Sequence, residues 1–186
     1  MIGELLAAYL EHSSLERFEQ LRAAALAHPA YDPYGSVLRE AQGYLSRKRP
    51  RAARDLLLRS SSGWVLAPEF HNLLSVAFGL TGNEEEARLE AALARCLLDG
   101  ILSTGDGSRQ RPYLVSCPSD EYAILEALGK QMTSQTLTEN DGRMCDVLTT
   151  DDGESYWFDI AAAFARLREG APAECAPRRW WEFWKR

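Results

Sequence analysis

The sequence contains few of the residues that most often bind transition metals: four cysteines and three histidines among 186 residues. Cys96, Cys117, Cys145 and Cys175 are separated by 21, 28 and 30 positions, so the chain has no CxxC or CxH spacing of the kind that holds zinc. It also lacks the glycine-rich GxxxxGKS and GxGxxG motifs that bind phosphates. These absences argue against a zinc protein and a nucleotide-binding enzyme, and we predict neither a metal nor a cofactor.

Long apolar runs are missing as well. No stretch approaches the roughly 18 apolar residues that indicate a membrane-spanning helix. The first residues, Met1–Glu4, lack the positive charge with which a secretory signal peptide begins. We therefore expect a protein of the cytoplasm without a membrane span.

Positive charge is scarce in one part of the chain. The net charge is −6, but residues 101–176 contain 6 Lys+Arg against 13 Asp+Glu, whereas residues 177–186 contain 4 against 1. An acidic surface does not suit nucleic acid, because phosphates require basic residues. It suits a basic partner protein, and the alternative is that the charge only keeps the protein soluble.

Helical patterns fill the first hundred residues. A shift of 34 positions pairs Tyr44 with Phe78 and Ala53 with Ala87. This is the period of the tetratricopeptide repeat, a pair of antiparallel helices, although two degenerate units also fit a generic helical bundle. In either case we expect Tyr44, Ala53, Phe78 and Ala87 to be buried at contacts between helices.

The pattern changes after residue 100. Three strand-like segments, the Thr-rich Met132–Thr138 and the alternating Met144–Thr149 and Ser155–Ile160, are separated by the turn signals Asn140–Gly142 and Asp151–Gly153. They predict an antiparallel meander. Residues 120–128 and 161–168 have helical composition. In the last strand we expect Tyr156, Phe158 and Ile160 to face the core, with Trp157 and Asp159 on the other side.

Together these patterns predict an α+β fold. N-terminal tetratricopeptide-like helical hairpins are followed by a small antiparallel sheet with one or two helices. We divide the chain into a helical half (residues 1–100), an α+β half (residues 101–168), and a linker with a basic, Trp-rich tail (residues 169–186).

Several short motifs occur in a recognisable order: Phe18–Arg22, Tyr31–Tyr34, Gly105–Ser108, Asp120–Tyr122, Leu128–Gly129, Gln135, Asp146 and Phe158–Ile160. On these motifs the chain resembles a family of uncharacterised bacterial proteins known as a domain of unknown function. Members of that family join a tetratricopeptide-like helical half to a small β-rich half. The resemblance covers roughly residues 15–165 and implies this fold, but it implies no activity.

Five acidic residues of the second half form a candidate acidic site: Asp106, Asp120, Glu121, Asp146 and Asp159. Paired carboxylates can act as acid and base or hold a divalent cation. The alternative is structural, since Gly-Asp-Gly is by itself a good turn sequence. If the carboxylates converge in a cleft, a metal-dependent hydrolase becomes a possible function.

The tail contains three of the five tryptophans of the chain. Candidate partner-binding residues there are Arg178, Arg179, Trp180, Trp181, Phe183 and Trp184. Trp and Arg dominate binding hot spots and, flanked by basic residues, also favour membrane interfaces. The remaining alternative is that the tail completes the protein's own core.

The sequence as a whole favours protein–protein interaction, because stacked helical hairpins present grooves and no catalytic motif competes. One specific form is an immunity or adaptor protein of a bacterial toxin or secretion system. The partner we expect is another protein, of basic character.

Overall fold

The computed structural model describes the backbone of residues 1–170 and the side chains of residues 1–168. Its first part consists of helices: α1 (Ile2–Glu11), α2 (Leu15–Leu26), α3 (Val37–Ser46), α4 (Pro50–Trp64), α5 (Pro68–Gly79) and α6 (Glu84–Ser103). A four-stranded sheet with two further helices follows. The chain is therefore α+β, as predicted. None of the described helices is both long enough and apolar enough to cross a membrane.

Local sequence signals fix where these helices begin. Ser14 caps α2, and its hydroxyl accepts a hydrogen bond from the Arg17 backbone N–H at 3.3 Å. Pro50 and Pro68 occupy the first positions of α4 and α5, where a missing N–H costs nothing. Because these signals are local, the starts of these helices can be predicted from the sequence.

Helices α3 to α6 form two consecutive hairpins that pack on each other. Alanine, leucine and phenylalanine side chains fill most of the space between α3, α4 and α5: Leu38, Ala41, Ala53, Leu56, Leu57, Phe70, Leu74 and Ala77. The alanines let the helix axes approach closely, which makes these positions sensitive to added volume.

The burial predicted for the four aligned residues is correct only for Ala53, which has no exposed surface. Tyr44 and Phe78 are partly buried at the margin of the helical core, and Ala87 is also partly buried. Tyr44 lies near the C-terminal end of α3, where the Arg49 guanidinium stacks on its ring at 5.1 Å. Phe78 is next to the last residue of α5. Positions at helix ends contact fewer neighbours, which explains the difference.

Replacing Ala53 with tryptophan should lower the free energy of unfolding by about 1–3 kcal/mol, because the indole overpacks a full contact. Ser61, which is exposed on the same helix, provides the matched control. Urea denaturation of Ala53→Trp and Ser61→Trp measures both. Equal midpoints for the two variants would contradict close packing at Ala53.

The sheet contains β1 (Tyr113–Leu114), β2 (Met132–Asn140), β3 (Arg143–Thr150) and β4 (Ser155–Asp159) in the spatial order β1-β4-β3-β2. Strands β2, β3 and β4 form the predicted antiparallel meander. The sheet is nevertheless mixed rather than antiparallel, because β1 pairs in parallel with β4. Helix α7 (Pro118–Ala127) follows β1, and α8 (Ala161–Gly170) follows β4.

The predicted register of β4 is confirmed. Phe158 and Ile160 are buried in the main core, and Tyr156 packs against that core while partly exposed. Asp159 lies on the opposite face, as predicted, but it is also buried. One face of β4 is therefore covered by the core. On the other face, the end of the strand carries the buried polar residue Asp159.

The main core joins both parts of the chain. Leu21 of α2 and Leu97 of α6 belong to the same cluster as Ile124 of α7 and Leu148 of β3. Residue 100, where we expected the halves to meet, lies inside α6. The sheet and α7 are thus held directly against α2 and α6.

Candidate functional site

Asp120 lies in the first turn of α7 and is fully buried. Its Oδ2 accepts hydrogen bonds from the backbone N–H groups of Ser116 (2.7 Å) and Cys117 (3.2 Å), and the Cys117 thiol donates to Oδ1 at 3.3 Å. Burial raises the pKa of Asp120 to about 6, although the hydrogen bonds oppose this shift. Asp120 therefore serves as a buried cap of the helix N-terminus.

Glu121 and Asp146 form a buried carboxyl pair between α7 and β3. Both side chains are fully buried. Burial raises the pKa of both groups, that of Asp146 to about 6, and the charge of Asp146 raises the pKa of Glu121 further. Glu121 Oε1 and Asp146 Oδ1 accept no hydrogen bond from any described group, and a proton shared between the two carboxyls would satisfy both.

Gln135 of β2 closes the carboxyl pair on one side. Its Nε2 donates to Asp146 Oδ2 at 2.9 Å and makes a longer contact of 3.5 Å with Glu121 Oε2. The Tyr34 ring packs against the main core, and burial, together with the nearby charges of Asp146 and Glu121, raises its pKa. The pair therefore lies in the interior, and the partly exposed Gln135 contacts it on the β2 side.

Two side chains tie this region to the helices that precede it. The Tyr31 hydroxyl donates to the Ser116 carbonyl oxygen, and Arg22 Nη2 donates to the Val115 carbonyl oxygen at 3.0 Å. Burial lowers the pKa of Arg22, while Asp159 and Asp120 favour its charged form. These contacts hold the segment before α7 in place, so Asp120 and Glu121 are positioned by tertiary structure.

The other two candidate acids have separate, structural partners. Asp106 is bonded inside its own loop: Oδ1 accepts from the Ser108 backbone N–H at 3.0 Å, and Arg111 lies 3.6 Å from Oδ2. The neighbouring Gly107 has φ +74°, and a Cβ there would lie 2.8 Å from the Tyr113 ring, so the Gly-Asp-Gly sequence is needed for the turn.

Asp159 stabilises the start of α8. Its Oδ1 accepts from the Ala161 backbone N–H at 3.0 Å, and its Oδ2 pairs with Arg143 at 3.2 Å. The structure therefore brings together Asp120, Glu121 and Asp146, and it gives Asp106 and Asp159 other partners. Within residues 1–168, no three or more His, Cys, Asp or Glu side chains form a group that could hold a metal ion.

An open groove runs between the helical hairpins, α7 and the beginning of β2, and its volume is about 650 Å³. We call it the acidic groove. Its polar lining comes from Gln42 of α3, Glu69 of α5, Ser119, Tyr122 and Glu126 of α7, and Gln135 of β2. Gln135 therefore contacts both the groove and the buried carboxyl pair.

Two carboxylates give the groove its charge. Gln42 Nε2 donates to Glu69 Oε1 at 3.0 Å. Burial raises the pKa of Glu69, and the negative charge of Glu126 adds to this effect. Among the described residues no basic side chain forms an ion pair with Glu69 or Glu126. Two carboxylates thus line one groove, and no basic side chain within residues 1–168 is paired with either of them.

Sequence reasoning did not identify Gln42, Glu69 or Glu126. Glu69 resembles an ordinary acidic residue in the first turn of a helix, and no motif connects it with Glu126, which follows 57 positions later. The proposed partner-binding residues Arg178, Arg179, Trp180, Trp181, Phe183 and Trp184 lie outside the described residues.

The described part of the chain thus belongs to the class of small α+β proteins in which helices cover one face of a mixed sheet. A family model described as Domain of unknown function (DUF4919) matches residues 68–167. The chain belongs to this family, which agrees with the resemblance to an uncharacterised domain family. No curated protein and no solved structure matches the chain.

The matched residues run from the start of α5 into α8. They include the buried carboxyl pair and the groove residues Glu69 and Glu126. The motifs Phe18–Arg22 and Tyr31–Tyr34 lie before the matched residues, so the family match does not test them.

Proposed function

We propose that this protein is a protein–protein interaction module whose acidic groove binds a basic segment of a partner protein. The observation that carries the proposal is the pair Glu69–Glu126, two carboxylates in a groove with no basic partner among the described residues. Like charges held close together raise the free energy of the unbound protein, and a bound cation relieves this cost.

A lysine or arginine side chain fits this environment best. Charge-assisted hydrogen bonds to a carboxylate are stronger than neutral ones, and Glu69 is already oriented by Gln42. The apolar parts of Tyr122 and Met132 in the lining suit the aliphatic stem of such a side chain. The shape and the charge of the groove therefore both favour a lysine or arginine side chain of the partner.

The more specific form of the proposal is an immunity or adaptor protein in the cytoplasm of a bacterium, acting with a toxin or secretion system. Its support is the acidic composition and the stacking of helical hairpins, which is the packing expected of tetratricopeptide-like units. Fold-level analogy is its only further support.

The alternative of a metal-dependent hydrolase has less support. A hydrolytic carboxylate must reach a substrate, whereas Glu121 and Asp146 are fully buried and Gln135 donates a hydrogen bond to Asp146. Asp120 is equally buried and is occupied by backbone donors. The acids that converge are therefore interior groups, and the exposed Asp106 and the buried Asp159 have other partners.

Charge reversal tests the interaction. A partner is first identified by affinity capture with the full-length chain, and its affinity for purified variants is then measured by calorimetry. We expect Glu69→Lys with Glu126→Lys to weaken binding by about tenfold or more, since charged hydrogen bonds are lost.

The control for the groove variant is Glu85→Lys with Glu86→Lys, which makes the same charge change at exposed positions in the first turn of α6. This control should bind like the unmodified protein. Equal weakening by both double variants would indicate a general charge effect and would contradict binding in the groove.

A further inference from the structure

A second depression lies at the other end of α5 from the acidic groove. Its volume is about 560 Å³, and it lies between the turn that connects α3 to α4 and the C-terminal end of α5. Its basic lining comes from Lys48, Arg49 and Arg51, and Leu80 and Thr81 line the other side. We call it the basic pocket.

The basic pocket carries positive charge that the described part of the chain does not neutralise. Its three basic residues are exposed, and none of them forms an ion pair with an acidic side chain of residues 1–168. Two acids that lie close to the pocket in sequence have their own partners: Asp55 pairs with Arg54 at 3.0 Å, and Glu84 pairs with Arg88 at 4.0 Å. The acidic first turn of α6 does not line the pocket. The pocket therefore suits a carboxylate of another molecule.

One exposed face of α5 connects the acidic groove to the basic pocket. Glu69, Asn72, Val76 and Leu80 follow one another at spacings of three, four and four positions, which places them along the same side of the helix. Asn72 is exposed, and the exposed fractions of Val76 and Leu80 are 50% and 62%. Glu69 lines the groove, and Leu80 lines the pocket. The surface between the two charged sites is therefore open and partly apolar.

Helix α3 runs beside α5 in the same direction. The two helices are in contact, Gln42 of α3 bonds to Glu69 near the start of α5, and Lys48 lines the same pocket as Leu80 beyond the ends of both helices. Glu69 and Leu80 are eleven positions apart, which corresponds to about 16 Å along the helix axis. An extended chain covers this distance with about five residues.

We propose that a single extended segment of the partner protein lies along this face. A basic side chain of the segment enters the acidic groove, an apolar side chain covers Val76 and Leu80, and an acidic side chain about five residues away enters the basic pocket. Charge complementarity selects this occupant, because the two ends of the face have opposite charge and its middle is apolar. The inference rests on the proposed function, which assigns the groove, and adds the second charged site and the spacing.

Synthetic peptides of defined charge test the spacing. The bipolar peptide is Lys-Lys-Gly-Ser-Leu-Gly-Ser-Glu-Glu, measured together with its reversed sequence. The lysine-only and glutamate-only peptides replace the opposite charges with glutamine. In calorimetry with the full-length chain, one bipolar peptide should bind about tenfold or more tightly than the lysine-only peptide, since both ends bind at once. A bipolar peptide with a single residue between its charged ends should lose this gain.

Lys48→Glu with Arg51→Glu removes the basic end of the face. Glutamate suits the first turn of α4, so the second change does not disturb the helix. This variant should bind the bipolar peptide no more tightly than the lysine-only peptide. Arg95→Glu with Arg168→Glu makes the same charge change at exposed positions of α6 and α8 that line neither site, and it should keep the tenfold gain.

Three results would overturn the inference. The first is equal affinity for the bipolar and lysine-only peptides, and the proposed function then stands if Glu69→Lys with Glu126→Lys abolishes binding of the lysine-only peptide. The second is a gain that survives Lys48→Glu with Arg51→Glu, because the acidic end then binds elsewhere. The third is binding of the glutamate-only peptide as tightly as the bipolar peptide, which would indicate a separate site for anions. Partner capture through the groove is measured independently of all three.

Discussion

Replacing Phe158 with alanine should lower the free energy of unfolding by about 3–5 kcal/mol. Phe158 has no exposed surface and lies on β4 between β1 and β3. Its ring is 5.9 Å from that of Tyr113, and both belong to the core that joins the sheet to the helices. Removing the ring leaves a cavity that rigid neighbouring strands cannot fill.

Urea denaturation followed by circular dichroism measures this effect. Ser155→Ala is the control, because Ser155 is exposed at the start of the same strand and should change stability by less than about 0.5 kcal/mol. A cost below about 1 kcal/mol for Phe158→Ala would show that the covered face of β4 has been assigned wrongly.

The second large effect concerns the buried carboxyl pair. Its raised pKa values mean that the folded protein binds more protons than the unfolded chain between about pH 4 and pH 7. The free energy of unfolding therefore falls as the pH rises through this window. Raising the pKa of Asp146 from 3.8 to about 6 corresponds to about 3 kcal/mol.

Glu121→Gln should flatten this decline. The glutamine amide can donate to Asp146 as the shared proton does, and it does not ionise. We expect the variant to match the unmodified protein near pH 4 and to exceed its stability by about 1–3 kcal/mol near pH 8. Asp120, whose pKa burial also raises, contributes the same slope to both proteins.

Thermal unfolding at several pH values between 4 and 8 gives the comparison. Glu85→Gln is the matched control, since it makes the same change at an exposed position in the first turn of α6, away from the carboxyl pair. Parallel stability profiles for Glu121→Gln and the unmodified protein would contradict a proton shared between Glu121 and Asp146.

The meander was predictable because its signals are local. Alternation over Ser155–Ile160 and the turn sequence Asn140–Gly142 depend on neighbours only. The pairing of the two-residue strand β1 gives no comparable signal, because its partner β4 follows more than 40 positions later. The parallel pairing that makes the sheet mixed is therefore a tertiary property.

The acidic residues of the candidate site could be predicted from the sequence, but their burial could not. Sequence reasoning selected Asp120, Glu121 and Asp146 as acids, yet it could not show that they are interior. Their burial depends on how α7 packs on the sheet, which no spacing encodes. Glu69 and Glu126 were missed for the related reason that a groove between distant helices has no sequence motif.

The core shared by both parts of the chain also determines when the protein can fold during synthesis. Three side chains donate hydrogen bonds to backbone carbonyl oxygens far away in the sequence. Tyr9 donates to Cys96 across 87 positions, Arg22 to Val115 across 93, and Arg166 to His28 across 138. At about 5–20 residues per second, a ribosome needs about 5–20 s to add 90 residues. The apolar faces of α1 and α2 stay uncovered for that time, while α3 and α4 can pair as soon as they emerge. Helices α1 and α2 are thus made before α3 to α6 but are among the last to reach their final contacts.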